Sequence, residues 1–229
     1  MNKLYTAVGR MQTQGSIGGK KCPMVVVNRR EYILDIQEMM LWTILNWRIL
    51  TEDEALALYE SKEREVGYQS QRDYYDCLHR LVQRGLVADG YGETGADALY
   101  DLLSGLYIIP ISESIFLRLY SFVKLTLFNG IPLAVTKKVL GADKRSDSEK
   151  KVMYLARQAL MSTAEIIKCM EQNRLHFRNE EDLLDTLYHD DVTTSDNLPQ
   201  VVRELSMCRP VLVSVANLYL RKQLIFERL

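Results

Sequence analysis

The sequence predicts a mainly α-helical fold with a small β component near the N-terminus. Apolar residues recur at helical spacing from Ile36 onward, whereas the strand-like runs are few and short. The clearest of these runs is Met24–Val27, which contains three consecutive valines. We therefore expect a basic N-terminal arm, or a short strand followed by a loop, over residues 1–22. A mixed domain is expected over residues 23–110 and an all-helical domain over residues 111–229.

Three closely spaced helices are predicted between residues 35 and 85. Asp35 is the expected N-cap of the first helix. Thr51 and Glu54 form a capping box, in which each residue satisfies a backbone amide of the other, and this box opens the second helix. The third helix is expected to run from Ser70 to Arg84 and to end before Gly85. Its apolar stripe is formed by Tyr74, Leu78, Leu81 and Val82.

A short strand and a glycine turn are predicted to follow the third helix. The chain passes from Arg84-Gly85 through the strand-like run at residues 86–88 to Gly90-Tyr91-Gly92. With the capping box at Thr51, this pattern makes residues 33–95 similar to the winged-helix superfamily of bacterial transcription regulators. The resemblance implies a cytoplasmic regulator that places its third helix in the major groove of duplex DNA and a wing beside it.

The resemblance also implies which residues would contact DNA. The face of the third helix opposite the apolar stripe would read bases, because arginine pairs with guanine and glutamine with adenine. Basic residues of the N-terminal segment would contact phosphates. The predicted DNA-binding residues are Arg72, His79, Arg80, Gln83, Lys20, Lys21, Arg29 and Arg30.

The charge distribution supports a second hypothesis. The formal net charge of the 229 residues is −1, and residues 51–110 contain five basic and twelve acidic residues. DNA affinity depends largely on cationic contacts with phosphate, so this segment is a poor DNA binder by itself. The alternative is a helical protein–protein interaction module with an acidic helix-turn-helix and no DNA binding.

The C-terminal part is predicted to contain helices throughout. They are expected near residues 114–128, 131–140, 147–161, 163–172, 179–188, 198–207 and 210–227. A second capping box at Ser162 leaves open whether residues 162–188 form another helix-turn-helix. Apolar residues at heptad spacing in the last helix predict either a homodimer seam or the closure of the core. These residues are Val211, Val215, Leu218, Ile225 and Leu229.

No catalytic or cofactor site is predicted. Gly90 to Gly95 match the dinucleotide fingerprint GxGxxG, but the chain offers too few strands for a doubly wound sheet, so we expect no nucleotide cofactor. Neither the three histidines nor the four widely spaced cysteines indicate a metal site. No secretory signal or membrane span is expected.

Overall fold

A computed structural model describes residues 1–12, 16–17, 20–21, 24–68, 71–111, 145–189 and 192–228. The helices predicted at residues 114–128 and 131–140 lie outside the described residues. The strands are β1 (Asn2–Ala7), β2 (Arg10–Gln12), β3 (Ser16–Ile17), β4 (Lys20–Lys21), β5 (Met24–Val27), β6 (Arg30–Ile33), β7 (Leu50–Thr51), β8 (Val87–Gly92), β9 (Tyr107–Pro110), β10 (Met161–Ser162) and β11 (Leu224–Glu227). The helices are α1 (Ile36–Leu45), α2 (Glu52–Val66), α3 (Tyr74–Gln83), α4 (Gly95–Ser104), α5 (Asp147–Gln158), α6 (Thr163–Glu171), α7 (Glu180–Tyr188), α8 (Leu198–Val202) and α9 (Cys208–Leu220).

The N-terminal strand is the centre of the first sheet, so residues 2–7 belong to the fold as a strand and not to an arm. β1 pairs antiparallel with β7 on one side and with β8 on the other. Tyr5 and Ala7 are each 2% exposed because this strand also packs against α1 and α4. β2 pairs with β5, and β3 pairs with β4. We name residues 2–92 the first unit.

The three predicted helices of the first unit are present, with one change at a boundary. α1 and α2 begin at the predicted caps, since Asp35 and Thr51 both form complete capping boxes. The third helix begins at Tyr74, and its N-cap is Asp73 rather than Ser70. The aspartate carboxylate accepts a hydrogen bond from the amide of Tyr75, which satisfies one of the free amides of the first turn.

The predicted wing turn at Gly90–Gly92 is also wrong. Both glycines belong to β8, and the chain passes from this strand into α4 after two residues. A Cβ atom on Gly90 would lie 2.4 Å from the backbone nitrogen of Leu102 and 2.5 Å from the carbonyl oxygen of Ala98. The glycines are therefore needed for the close packing of α4 on the strand, and the position that a second wing strand would take beside β8 is filled by β1.

The C-terminal part contains a sheet, so the prediction of a mainly α fold with an all-helical second domain is wrong. β9 lies at the centre of this antiparallel sheet, between β10 and β11. The helix predicted over residues 210–227 ends at Leu220, and Lys222 has a positive φ of 59° before the chain enters β11. The fold is mixed α/β. We name residues 107–227 the second unit.

The two units share one topology. Each has a central strand, a helix, a short strand, a second helix and a final helix that leads into the last strand. Residues 35–51 and 146–162 correspond without a gap, because each range runs from one capping box through a helix and a short strand to the next capping box. The first unit also contains β2 to β6 between its central strand and α1, and the second unit contains α7 and α8 before its final helix α9.

The turns after the two final helices also match. Gly85 and Lys222 both have positive φ, at 70° and 59°. The amide that follows each of them donates to a carbonyl five residues earlier, from Leu86 to Leu81 and from Gln223 to Leu218. The counterpart of α3 in the second unit is therefore α9 rather than α7.

Tyr219 of α9 joins the two units. Its hydroxyl accepts hydrogen bonds from the Thr6 hydroxyl and the Trp47 amide, both at 2.9 Å, and donates to the carbonyl of Ala7 at 3.3 Å. Its ring stacks on Phe226 with the centroids 4.3 Å apart. Burial raises the pKa of this hydroxyl to about 12, so it stays protonated and can donate at neutral pH.

Gly90→Ala should lower the free energy of unfolding by about 3 kcal/mol, because backbone atoms of α4 occupy the space of the new methyl group. Gly95→Ala is the matched control, since nothing lies within 4 Å of its Cβ position and its φ is ordinary. This control should change stability by no more than about 0.5 kcal/mol. Urea unfolding at neutral pH measures both effects, and equal values would contradict the packing described for α4.

Candidate interaction surfaces

Three arginines surround a buried glutamate at the start of α1. The side chain of Glu38 is 3% exposed and closes the capping box of Asp35. Arg84 donates to one of its oxygens at 2.9 Å, and Nε of Arg80 lies 3.3 Å from the other. Arg72 pairs with Asp35 at 2.5 Å. Two of the predicted DNA contacts, Arg72 and Arg80, are therefore engaged by carboxylates of the protein.

The second unit repeats this contact. Glu149 holds the same place in the capping box of α5, its side chain is 6% exposed, and it accepts a hydrogen bond from Arg221. Burial alone would raise the pKa of this carboxyl, but the hydrogen bonds from Arg221 and the amide of Ser146 hold the pKa below its usual value. Arg221 is the C-cap residue of α9, as Arg84 is the C-cap residue of α3.

The outer face of α3 is exposed as predicted, but its surroundings are acidic. His79, Arg80 and Gln83 face solvent, and Nε2 of His79 lies 2.8 Å from Nε2 of Gln83. A cavity of about 400 Å³ between α3 and the sheet contains the carboxylates of Glu52, Asp76 and Asp89. Its lysine, Lys3, lies 3.6 Å from Glu52.

The predicted phosphate contacts lie outside α3. Arg29 lies in the turn between β5 and β6, Arg30 begins β6, and both are exposed. Lys20 and Lys21 form β4. None of these four residues belongs to α3, the helix that was expected to read the bases.

An apolar groove lies between α1 and α2. Its volume is about 720 Å³. Ile36 and Val66 on its rim are 65% and 57% exposed, and Leu58 is 38% exposed. The groove is also lined by Met39, Met40 and Thr43. Exposed apolar residues gathered around one concave surface are typical of a binding site.

The predicted dimer seam is part of the protein core. Val211, Val215 and Leu218 are fully buried within the chain, and Ile225 is 9% exposed in β11 rather than in a helix. Leu229 lies outside the described residues. The heptad spacing reflects the packing of α9 against α5 and α6, so Val211, Val215 and Leu218 do not offer a dimer surface.

The described residues show no metal cluster and no candidate membrane helix. In those ranges no group of three His, Cys, Asp or Glu side chains could hold a metal ion. Every described helix falls short of a membrane span in length or apolar character. Cys77, Cys169 and Cys208 are buried free thiols, and burial raises the pKa of the first two to about 12. At neutral pH these two thiols stay protonated and are poor nucleophiles.

Comparison of the chain with models of known families, with curated proteins and with solved structures gave no match. The assignment of a function therefore depends on the surfaces described above. Sequence reasoning identified the outer face of α3 but missed the groove between α1 and α2. The available signal was the composition of α1. Ile36, Met39 and Met40 place apolar side chains outside the core-facing side of this helix as well as on it.

Removal of either arginine at the repeated contact should destabilise the protein. Arg84→Ala and Arg221→Ala leave a buried carboxylate with fewer partners, so each should lower the free energy of unfolding by about 2 kcal/mol. Lys150→Ala is the control, because its ion pair with Asp147 lies on the surface, and it should cost less than about 0.5 kcal/mol. If all three variants unfold at the same urea concentration, Glu38 and Glu149 do not depend on these arginines.

The contribution of Glu149 to the free energy of unfolding should depend on pH. Because the pKa of this carboxyl is lowered in the folded protein, its stabilising effect is complete above the ordinary value of 4.5 and is lost as the pH falls through the folded-state pKa. The stability difference between wild type and Glu149→Gln should therefore be largest at neutral pH and shrink in acid. Urea unfolding of both proteins between neutral and acidic pH measures this stability difference. A difference that grows in acid would mean that folding raises the pKa of Glu149 instead of lowering it.

Proposed function

We propose that the protein is a protein–protein interaction module whose first unit carries the binding surface, and that duplex DNA is not its ligand. The exposed apolar groove between α1 and α2 carries this proposal. Burying Ile36, Leu58 and Val66 against a partner would remove apolar surface from water, which is the main driving force of most protein associations. Contact with the charged backbone of DNA would not bury these apolar side chains in an apolar environment and would give no such driving force.

The electrostatics of the first unit also favour a protein partner. The first turn of α2 carries Glu52, Asp53 and Glu54, and the outer side of α3 carries Asp76. In a helix-turn-helix bound to DNA the residues near these two helix starts approach phosphates, which carboxylates repel. The cationic groups nearest to α3 are held by Asp35 and Glu38.

Site-specific photocrosslinking tests the proposal. A benzophenone amino acid replaces Ile36 in the full chain, and in a matched control it replaces Leu184, which is 54% exposed on α7 of the second unit. In cells that naturally make the protein, irradiation should give a discrete protein adduct only from position 36. Adducts of the same pattern and yield from both positions, or no adduct from position 36, would refute the proposal.

DNA binding remains the second candidate, because His79, Arg80 and Gln83 share an exposed face of α3. Fluorescence anisotropy with a labelled duplex of about 30 bp separates the two functions. We expect no saturable binding between roughly 50 mM and 200 mM salt. Saturable binding that weakens steeply with salt and is lost in Arg80→Ala would instead establish the DNA-binding function.

A further inference from the structure

The cavity between α3 and the first sheet combines acidic, aromatic and apolar side chains. Its volume of about 400 Å³ is that of a small ligand site. It is separate from the groove between α1 and α2, because the two share no lining residue among those that the structure describes. We call it the α3 cavity and consider which ligand its side chains would recognise.

The α3 cavity already holds one ammonium group of the chain. Nζ of Lys3 lies 5.0 Å from the ring centroid of Tyr5 and 4.8 Å from that of Tyr91. It also lies 3.6 Å from the carboxylate of Glu52, which accepts a hydrogen bond from the Tyr5 hydroxyl at 2.9 Å. A cation over tyrosine rings is attracted by the negative faces of the rings. The contacts of Lys3 therefore show the chemistry of the cation that this cavity accommodates.

Lys3 does not neutralise the α3 cavity. Asp76 and Asp89 also line it. Neither of them takes part in an ion pair between described residues. Three carboxylates and one lysine leave a formal excess of negative charge, with His79 counted as neutral. A concave site with charge of one sign attracts ligands of the opposite sign.

The cavity also offers an aromatic ring that faces no cation of the chain. Tyr75 is 50% exposed, and no described cation lies over its ring. The ring is held edge-on against buried Tyr74, with the centroids 5.2 Å apart. Leu78 and Val82 add apolar surface to the same cavity. A ring face, free carboxylates and apolar surface together suit a cation on an alkyl chain.

A buried hydroxyl beside the cavity has an unmet hydrogen bond. Tyr74 is 6% exposed, and its hydroxyl has no hydrogen-bond partner among the described residues. Burial raises the pKa of this hydroxyl, and the nearby groups Tyr5 and Glu52 raise it further, so it stays protonated. Tyr5 and Glu52 both line the cavity. An unpartnered donor next to this wall is expected where a bound molecule completes a site.

We propose that the α3 cavity binds a primary alkylammonium group, which is carried by a lysine side chain of a partner protein or by a free amine. The ammonium pairs with Asp76 or Asp89 and faces the ring of Tyr75, and its alkyl chain packs on Leu78 and Val82. This inference goes beyond the proposed function, because it concerns a separate site and holds whether or not the groove binds a protein.

A titration followed by nuclear magnetic resonance tests the proposal directly. The full chain is isotope-labelled, and the probe is lysine capped as its N-acetyl methylamide. The backbone amides of Asp76 and Tyr91 should shift saturably, with a Kd on the order of 1 mM. Norleucine capped in the same way has a matching alkyl chain without the ammonium group. It should bind at least about tenfold more weakly.

Protein variants locate the binding. Asp76→Asn and Asp89→Asn should each weaken it roughly threefold, as expected for one exposed ion pair. Asp53→Asn is the matched control, because it removes the same charge from an exposed position outside the cavity, and it should bind like the wild type. Tyr75→Leu should weaken binding roughly threefold, whereas Tyr75→Phe keeps the ring and the affinity. Circular dichroism and urea unfolding confirm that all variants are folded.

Putrescine distinguishes the two sources of the ammonium group. A Kd for putrescine at or below that of the capped lysine identifies a free amine as the ligand, and a higher value identifies a lysine side chain. Three results would overturn the proposal: no saturable shift from either amine, equal binding of the capped lysine and the capped norleucine, or equal loss of affinity in Asp53→Asn and Asp89→Asn.

Discussion

A buried glutamate that joins the start of one helix to the end of another holds each unit together. Glu38 and Glu149 close the capping boxes of α1 and α5, so their positions are fixed by the backbone. Arg84 and Arg221 reach these carboxylates from the C-caps of the final helices. The contact sets how the first and last helices of a unit meet, and therefore where the following strand pairs with the central strand. A buried carboxylate requires such a partner, because desolvation otherwise disfavours its charged form.

The local parts of the fold could be predicted from the sequence, and the long-range parts could not. Capping boxes at Asp35 and Thr51 involve residues three apart, so the starts of α1 and α2 followed from spacing alone. The pairing of β1 with β8 joins residues that lie 80 to 90 positions apart, and nothing in the polar composition of residues 1–22 identifies the partner strand. Gly90 was interpreted as a turn because a glycine that avoids backbone contact has the same sequence signal as a glycine that bends the chain.

The predictions of the candidate sites were also correct where they depended on local pattern and incomplete where they depended on long-range packing. The amphipathic pattern of α3 correctly predicted that His79 and Gln83 are exposed. It could not show that Arg80 lies beside Glu38, because that contact depends on the packing of α1 against α3. The heptad pattern of α9 was ambiguous in principle, since a helix buried in its own core and a helix in a dimer both place apolar residues on one side.

The difference between the units is informative because their topology is the same. In the second unit, the residues of α5 that correspond to Ile36, Met39 and Met40 are Asp147, Lys150 and Lys151, which are polar and exposed. The first unit exposes apolar side chains there instead, and Ile36 is 65% exposed. Because the topology of the two units is the same, the fold does not require apolar residues on this face. Their presence around the groove of the first unit is what a site for a protein partner would need, since a partner would remove them from water.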